Sequence, residues 1–318
     1  MKKIWQFCLV IVLALGVLVG CGQTEDTKKK ESSEPATEQQ VAGYPLTETD
    51  ALGNDVKFTE APKSIITLVP SNTEILFALG LEKDITAVSD NDDYPEAATK
   101  KEKIGGMEFD AEKIISLNPD VVFAHETLLG TSEAGLQQLR DAGLKVFVVK
   151  NAGNFEETYK TIEQIGHITG KADEAKKITA DMKAKVKEVQ AKVKDVKQKS
   201  AFVETSDEPD IYTAGKDTFM QEMFDLANIK NVTADQTGWF KIDAEEIVKR
   251  NPDTIIVKYD YVKDIVEKVK KRQGFDSITA VKNDAVIQVD ANLTSRTGPR
   301  LAEGLEVIAK AVYPEAFE

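Results

Sequence analysis

Cysteine is nearly missing from these 318 residues: there are two, Cys8 and Cys21, both close to the amino terminus. No disulfide can staple the rest of the chain, which must be held together by its cores. Histidine is as scarce. Only His125 and His167 are present, the second in the helix-like stretch Ile165-Gly166-His167. A transition-metal cage built from several His or Cys ligands is therefore poorly supported. Positive charge is in deficit, with 41 Lys and Arg against 54 Asp and Glu and a net charge of −13. That argues against a nucleic-acid binder, which needs a basic face. The apolar run from Ile4 to Leu18 is shorter than the roughly 20 residues of a membrane-spanning helix. Catalytic signatures are absent as well: there is no G-x-S-x-G elbow, no G-x-x-x-x-G-K-[ST] loop and no H-E-x-x-H. Gly215-Lys216-Asp217-Thr218 lacks the first Gly of a phosphate loop and reads as a strand–helix turn.

What is present begins with a targeting segment over residues 1–20: Lys2 and Lys3, then the apolar run, then Leu18-Val19-Gly20-Cys21. Small residues directly before a cysteine resemble the bacterial lipobox, in which Cys21 would carry lipid and become the first mature residue. Residues 21–43 are polar and charged, with Lys28-Lys29-Lys30 and Ser32-Ser33. Such a composition cannot bury a core and reads as a flexible tether.

The stretch from Ala172 to about Lys197 is different. It holds no Gly or Pro, is rich in Ala, Lys, Glu and Gln, and places Ile178, Met182, Val186, Val189, Val193 and Val196 at gaps of three and four. This predicts one long helix with a narrow apolar stripe. Two related segments flank it, D-A-E-K-I-I-S-L-N-P-D-V-V-F-A (110–124) and D-A-E-E-I-V-K-R-N-P-D-T-I-I-V (243–257), identical at seven of fifteen positions. The expectation is two similar α/β lobes, residues 44–171 and 199–318, joined once by a stiff helix over 172–198. In both lobes short apolar runs such as Ile65–Val69 and Ile255–Lys258 alternate with helical patterns, which implies mainly parallel sheets with helices on both faces. Ligands of such sheets bind beyond the carboxyl ends of the strands. The loops at Pro70, Asp90–Tyr94 and His125-Glu126 would form one rim, and Trp239 with the Asp290–Arg296 loop the other, with a cleft between.

Several residues stand out on those rims. Trp239 is the one tryptophan outside the targeting segment, and in an inter-lobe loop it would offer a flat apolar platform. Tyr94 has a similar position, and His125 follows a strand end. Glu74 stands three residues after Ser71, as in a capping box, whereas beside Glu222 Thr218 and Gln221 already supply the box. Both acids are expected to be exposed at the lobe tips.

These residues carry a family pattern. I-I-T-L-V-P-S-N-T-E-I-L-F-A-L-G (65–80), D-Y-P (93–95), the two D-A-E-x-I…N-P-D copies, G-K-D-T-F-M-Q-E (215–222) and G-P-R-L-A-E-G-L (298–305) resemble the class of ABC-importer substrate-binding proteins in which one long helix joins two lobes. Members take up iron–siderophores, haem and vitamin B12. The resemblance covers about Tyr44 to Pro314. It implies two Rossmann-like lobes with a ligand cleft between them, the class III periplasmic-binding-protein-like arrangement. It also implies a non-enzymatic lipoprotein on the extracytoplasmic face of the cell membrane, without resident cofactor or metal, a monomer that passes its ligand to an ABC permease and its ATPase. The loop 88–95 and Trp239 look most like the vitamin B12-binding members, in which the corrin lies between aromatic residues of both lobes. Cobalamin or a related corrinoid is thus the first choice of ligand, with Tyr94, His125 and Trp239 as contacts. His125 stands where those members can carry a Trp, and Gly106-Met107 where they can carry another. A ferric siderophore or haem is the alternative. Arg296 and Arg300 would then be anion contacts, or Met107 and His125 axial ligands. In the class an acid on each lobe meets permease arginines, and Glu74 and Glu222 match by position.

Overall fold

The computed structural model describes residues 43–318. The targeting segment, Cys21 and nearly all of the expected tether lie outside the described residues. A hairpin opens the fold, β1 (Leu46–Thr49) antiparallel to β2 (Asp55–Phe58). Asp50 shapes its turn by accepting hydrogen bonds from the Leu52 and Asn54 amides. The first lobe continues with β3 (Ile65–Thr67), α1 (Pro70–Ala78), β4 (Ile85–Val88), α2 (Glu96–Thr99), β5 (Glu102–Lys103), α3 (Ala111–Leu117), β6 (Val121–His125), α4 (Glu133–Asp141), β7 (Val146–Val149) and α5 (Phe155–Ile168). Its strands form a parallel sheet in the order β5-β4-β3-β6-β7.

Helix α6 (Ala172–Val193) follows. The second lobe comprises β8 (Lys199–Glu204), β9 (Tyr212–Ala214), α7 (Phe219–Leu226), β10 (Ile229–Asn231), β11 (Trp239–Lys241), α8 (Ala244–Arg250), β12 (Thr254–Val257), α9 (Ile265–Lys270), α10 (Thr279–Lys282), β13 (Val286–Gln288) and α11 (Leu301–Val312). Its parallel sheet has the order β10-β8-β12-β13, and β9 and β11 pair apart from it as an antiparallel ribbon.

Successive strand residues point to opposite faces, and the cores obey this. Ile65, Val121 and Phe123 face one core while Ile66, Val122 and Ala124 face another. In the second lobe Ala201, Val203 and Ile256 share the first of these cores, whereas Phe202, Ile255 and Val257 face a third. The shared core runs through both lobes because the stripe Met182, Val186, Val189 and Val193 of α6 lies inside it. Helix α6 packs on α5 of one lobe and α11 of the other. Gly166 allows the close approach to α5, since a Cβ there would stand 2.4 Å from the Ala175 Cβ. The helix stops short of residue 198, at Val193, where Asn228 meets its end. The Asn228 side-chain amide donates to the carbonyls of Val193 at 3.0 Å and Val196 at 3.2 Å, satisfying acceptors that a helix end leaves open.

The repeated segment has one structural job in both lobes. Asn118 and Asn251 end α3 and α8 in the left-handed conformation, with φ of 44° and 45°, which Asn tolerates. The aspartate two residues on then ties down the neighbouring strand. Asp120 accepts from the Lys63 and Ser64 amides at 2.8 and 2.9 Å, ahead of β3. Asp253 accepts from the Ser200 amide and hydroxyl, both at 2.8 Å, on β8.

Candidate functional site

In each sheet the strand order reverses beside the first strand, between β3 and β6 and between β8 and β12. Ligand sites of open α/β sheets lie beyond the carboxyl ends at such points. In the first lobe that edge carries α1 and His125. Asn72 of α1 donates to the Ala124 carbonyl at 2.9 Å and so holds α1 against β6. His125 is only 5% exposed, with Nδ1 2.9 Å from the Thr127 hydroxyl. Burial holds its imidazole down to about 4, so it is neutral at physiological pH. It sits at the switch point without standing out into the cleft.

Tyr94 does stand out, and its loop explains why. Asp92 is buried and accepts from the Ser89 hydroxyl at 2.6 Å, while Lys103 Nζ donates to the carbonyls of Ser89 and Asp92, both at 2.9 Å. With those residues pinned, Asp93 and Tyr94 project, and Tyr94 is 45% exposed. The Arg300 guanidinium stacks on its ring, 3.6 Å from the centroid.

In the second lobe Glu204 ends β8 fully buried. Arg272 clasps it with two hydrogen bonds of 2.6 and 2.8 Å and reaches Asp207 at 2.6 Å, while the Tyr259 hydroxyl donates to the same carboxylate. Burial, and then the Glu204 charge, push the Tyr259 phenol well above its usual range. Lys258 follows β12 directly, and its Nζ stands 5.6 Å from the centroid of Trp239. Trp239 lies on β11, a strand and not the loop expected. The ribbon that carries it is anchored by the Thr213 hydroxyl, which donates to the Val203 carbonyl at 2.7 Å. One half of the indole remains open, at 50% exposure.

Trp239 and Lys258 line a cavity of about 310 Å³ between the lobes, with Asn151 and Gly153 from the first lobe and Ser295 and Thr297 from the second. A larger hollow of about 620 Å³ runs mostly along the flanks of α6 and α11, away from the strand ends.

Several expectations need correction. Glu74 is not exposed at a lobe tip: it is 3% exposed and lies between the lobes. Its carboxylate accepts from Arg296 at 2.9 Å and from Arg300 at 2.9 and 2.7 Å. No Ser71 capping box exists either, because α1 starts at Pro70 and Val69 is its N-cap. A proline is favoured at the first helical position, and it moves the helix start ahead of Ser71. Arg296, expected as an anion contact, is likewise spent on Glu74 and on Asp93 at 2.5 Å. Asn292 also donates to Asp93, at 2.9 Å. Glu222 faces across the interface in the opposite sense. It is half-buried, and its Oε2 accepts from the Phe155 amide at the start of α5 at 2.8 Å. Burial raises its carboxyl above the usual range, although that amide pulls the other way. Thr218 does cap α7, accepting from the Gln221 amide at 3.1 Å.

Sequence reasoning passed over Lys258, Asp93 and Asn292. For Lys258 a signal existed, a cation placed directly after the buried run Thr254–Val257. For Asp93 and Asn292 none did, since they meet across 199 residues.

Comparisons with known proteins agree with this architecture. Residues 65–293 match the family of periplasmic binding proteins. The uncharacterized ABC transporter substrate-binding lipoprotein YvrC of Bacillus subtilis is 43% identical over 321 residues, covering 100% of both chains. A cobalamin-binding protein of Halobacterium salinarum is 25% identical over 317 residues, covering 97% of this chain and 85% of its own. Among solved structures, a possible iron-binding (periplasmic solute-binding) protein of Staphylococcus epidermidis superposes with a TM-score of 0.74 at 40% identity, covering 80% of this chain and 100% of its own. With two parallel α/β lobes on one helix and a cavity between their strand ends, the chain belongs to the periplasmic binding protein family, as a non-enzymatic substrate-binding component of an ABC transporter.

Proposed function

We propose that this protein captures a corrinoid, cobalamin first among them, and delivers it to an ABC permease while held, as a monomer, to the extracytoplasmic face of the membrane by lipid on Cys21. The observation that carries the ligand reading is Trp239, a half-open indole at the mouth of the inter-lobe cavity. Tyr94 supplies an exposed aromatic ring on the other lobe. Two flat apolar surfaces suit a broad macrocycle. Charge points the same way. Arg296 and Arg300 are neutralised by Glu74 and Asp93, so the cleft is no trap for a polyanionic iron chelate. The likeness to the Staphylococcus epidermidis protein keeps a ferric siderophore as the second reading.

Titration calorimetry with cyanocobalamin tests this. Wild type should bind, and Trp239→Ala should weaken binding by about 30- to 1,000-fold, the usual cost of a central aromatic. Tight binding of a ferric siderophore or haem with none of cyanocobalamin would replace the ligand and leave the transport role standing.

For delivery, the repeated segment offers a better pair of acids than Glu74 and Glu222. Glu112 and Glu245 are its third residues, both exposed, in the first turns of α3 and α8. Each of these helices ends at the amino edge of its sheet, so each begins near the carboxyl edge, on the side from which ligand must leave. An exposed acid there can meet a permease arginine in a charge-assisted hydrogen bond. The double variant Glu112→Gln/Glu245→Gln should bind ligand normally and fail to support uptake. Normal uptake would return both to the role of acids that favour a helix start.

A further inference from the structure

The inter-lobe cavity is too small for the ligand that its surroundings suggest. About 310 Å³ lies at the low end of small-molecule pockets, which run from about 300 to 1,000 Å³. A corrin with all its substituents does not fit such a space, but one substituent does. The macrocycle would rest on the open part of Trp239 and send a side group past it. Lys258 is what that group would meet.

Lys258 is unusual among the cations of this cleft. Arg296, Arg300 and Arg272 all hold carboxylates. Lys258 Nζ has no carboxylate within ion-pair distance among the described residues; its neighbour is the Trp239 ring. Around it the cavity is lined by Ser295, Thr297 and Asn151, while the Thr294 hydroxyl is spent on the Asp290 carbonyl at 2.9 Å. An unpaired ammonium beside hydroxyls is a donor set for an anionic oxygen. Asp217 is the one carboxylate among the lining residues. Holding the amine charged without a partner is costly, and burial lowers it to about 8.

Resting on the corrinoid reading above, we infer that Lys258 receives the phosphodiester of the nucleotide loop, so that the site selects complete cobalamins over cobinamides, which lack that loop. The macrocycle supplies affinity at Trp239, and the phosphodiester supplies discrimination at Lys258. An anion at Nζ favours the charged amine, so the discrimination is present below pH 8 and is lost as pH rises through it. Charged groups around the cavity include Asp217, Glu222 on α7, Glu126 on the Asn151 amide, Glu157 on α5 with its partner Lys150, and the Glu204–Arg272 pair at the end of β8; the Glu157 contact raises the Lys150 amine above its usual range. Carboxylates and guanidinium groups do not ordinarily titrate between pH 7 and 9, and the Tyr259 phenol is held above that window.

The experiment is calorimetry of cyanocobalamin and dicyanocobinamide against wild type, Lys258→Met and Lys258→Arg, at pH 7 and pH 9. Wild type at pH 7 should prefer cyanocobalamin by about tenfold or more, as expected when one charge-assisted contact is gained. Lys258→Met should bind both ligands as wild type binds dicyanocobinamide. Lys258→Arg, whose charge persists at pH 9, should keep its preference where wild type loses it. Equal affinities in wild type, a preference that survives Lys258→Met, or equal weakening of both ligands by Lys258→Met would each overturn the phosphodiester contact while leaving a corrinoid site. Binding of neither corrinoid overturns the corrinoid reading and this inference with it.

Discussion

The two lobes are alike at one end of their sheets and unlike at the other. At the amino ends the same device appears twice: a left-handed Asn, a Pro, and an Asp that ties the neighbouring strand. At the carboxyl ends the first lobe buries a neutral His125 beside Asn72, whereas the second buries the Glu204–Arg272 pair and places Lys258 on the cavity. Strand starts must be set in register in any parallel sheet, so that solution persists in both lobes. Strand ends face ligand and the partner lobe, and those differ from one lobe to the other. A repeat in such a chain therefore marks its scaffold first. Its third position, Glu112 and Glu245, is exposed in both lobes and free for another task.

The contrast can be broken most forcefully in the second lobe. Arg272→Met leaves Glu204 buried without its cation, and removing one partner of a buried pair costs about 3–5 kcal/mol. Urea unfolding should register that loss, and the double variant Glu204→Leu/Arg272→Met should recover most of it. A single variant as stable as wild type would mean that the pair adds nothing to this lobe.

A smaller effect belongs to the first lobe. His125 takes up its proton near pH 4 in the folded state, against about 6.5 in an unfolded chain. Between those values the unfolded chain holds the extra proton, so stability falls as pH drops through that window, by about 3 kcal/mol at pH 4. Thermal unfolding at pH 7 and pH 4.5 should show the drop in wild type, and His125→Gln should lessen it. An unchanged drop in that variant assigns the acid sensitivity to other groups.

The smallest effects test the likeness itself. Asp120→Ala and Asp253→Ala each remove two hydrogen bonds to a charged acceptor, at about 1–3 kcal/mol. The two losses should agree within about 1 kcal/mol, because each aspartate accepts two hydrogen bonds at the start of the neighbouring strand; additivity in the double variant is expected for distant sites. Markedly unequal losses would show that the repeat serves only one of the sheets.

Much of this fold is legible in the sequence. Helix α6 was readable because one amphipathic segment declares its own periodicity, and the two-lobe plan because the repeat flanks it. Tyr94 is legible as a rim residue because the end of β4 can be located from local pattern, whereas the pairing of Trp239 into β11 is not legible, since its partner β9 lies in a different segment. The tertiary structure alone decided what the charged residues do. Glu74 carries the same local signs as an exposed helix-start acid. Its burial follows from Arg296 and Arg300 closing on it from 222 and 226 residues away. Local sequence sets which backbone a segment prefers. Which charge meets which, and which is left over as Lys258 is, depends on how distant segments come together, and no periodicity within either segment encodes that.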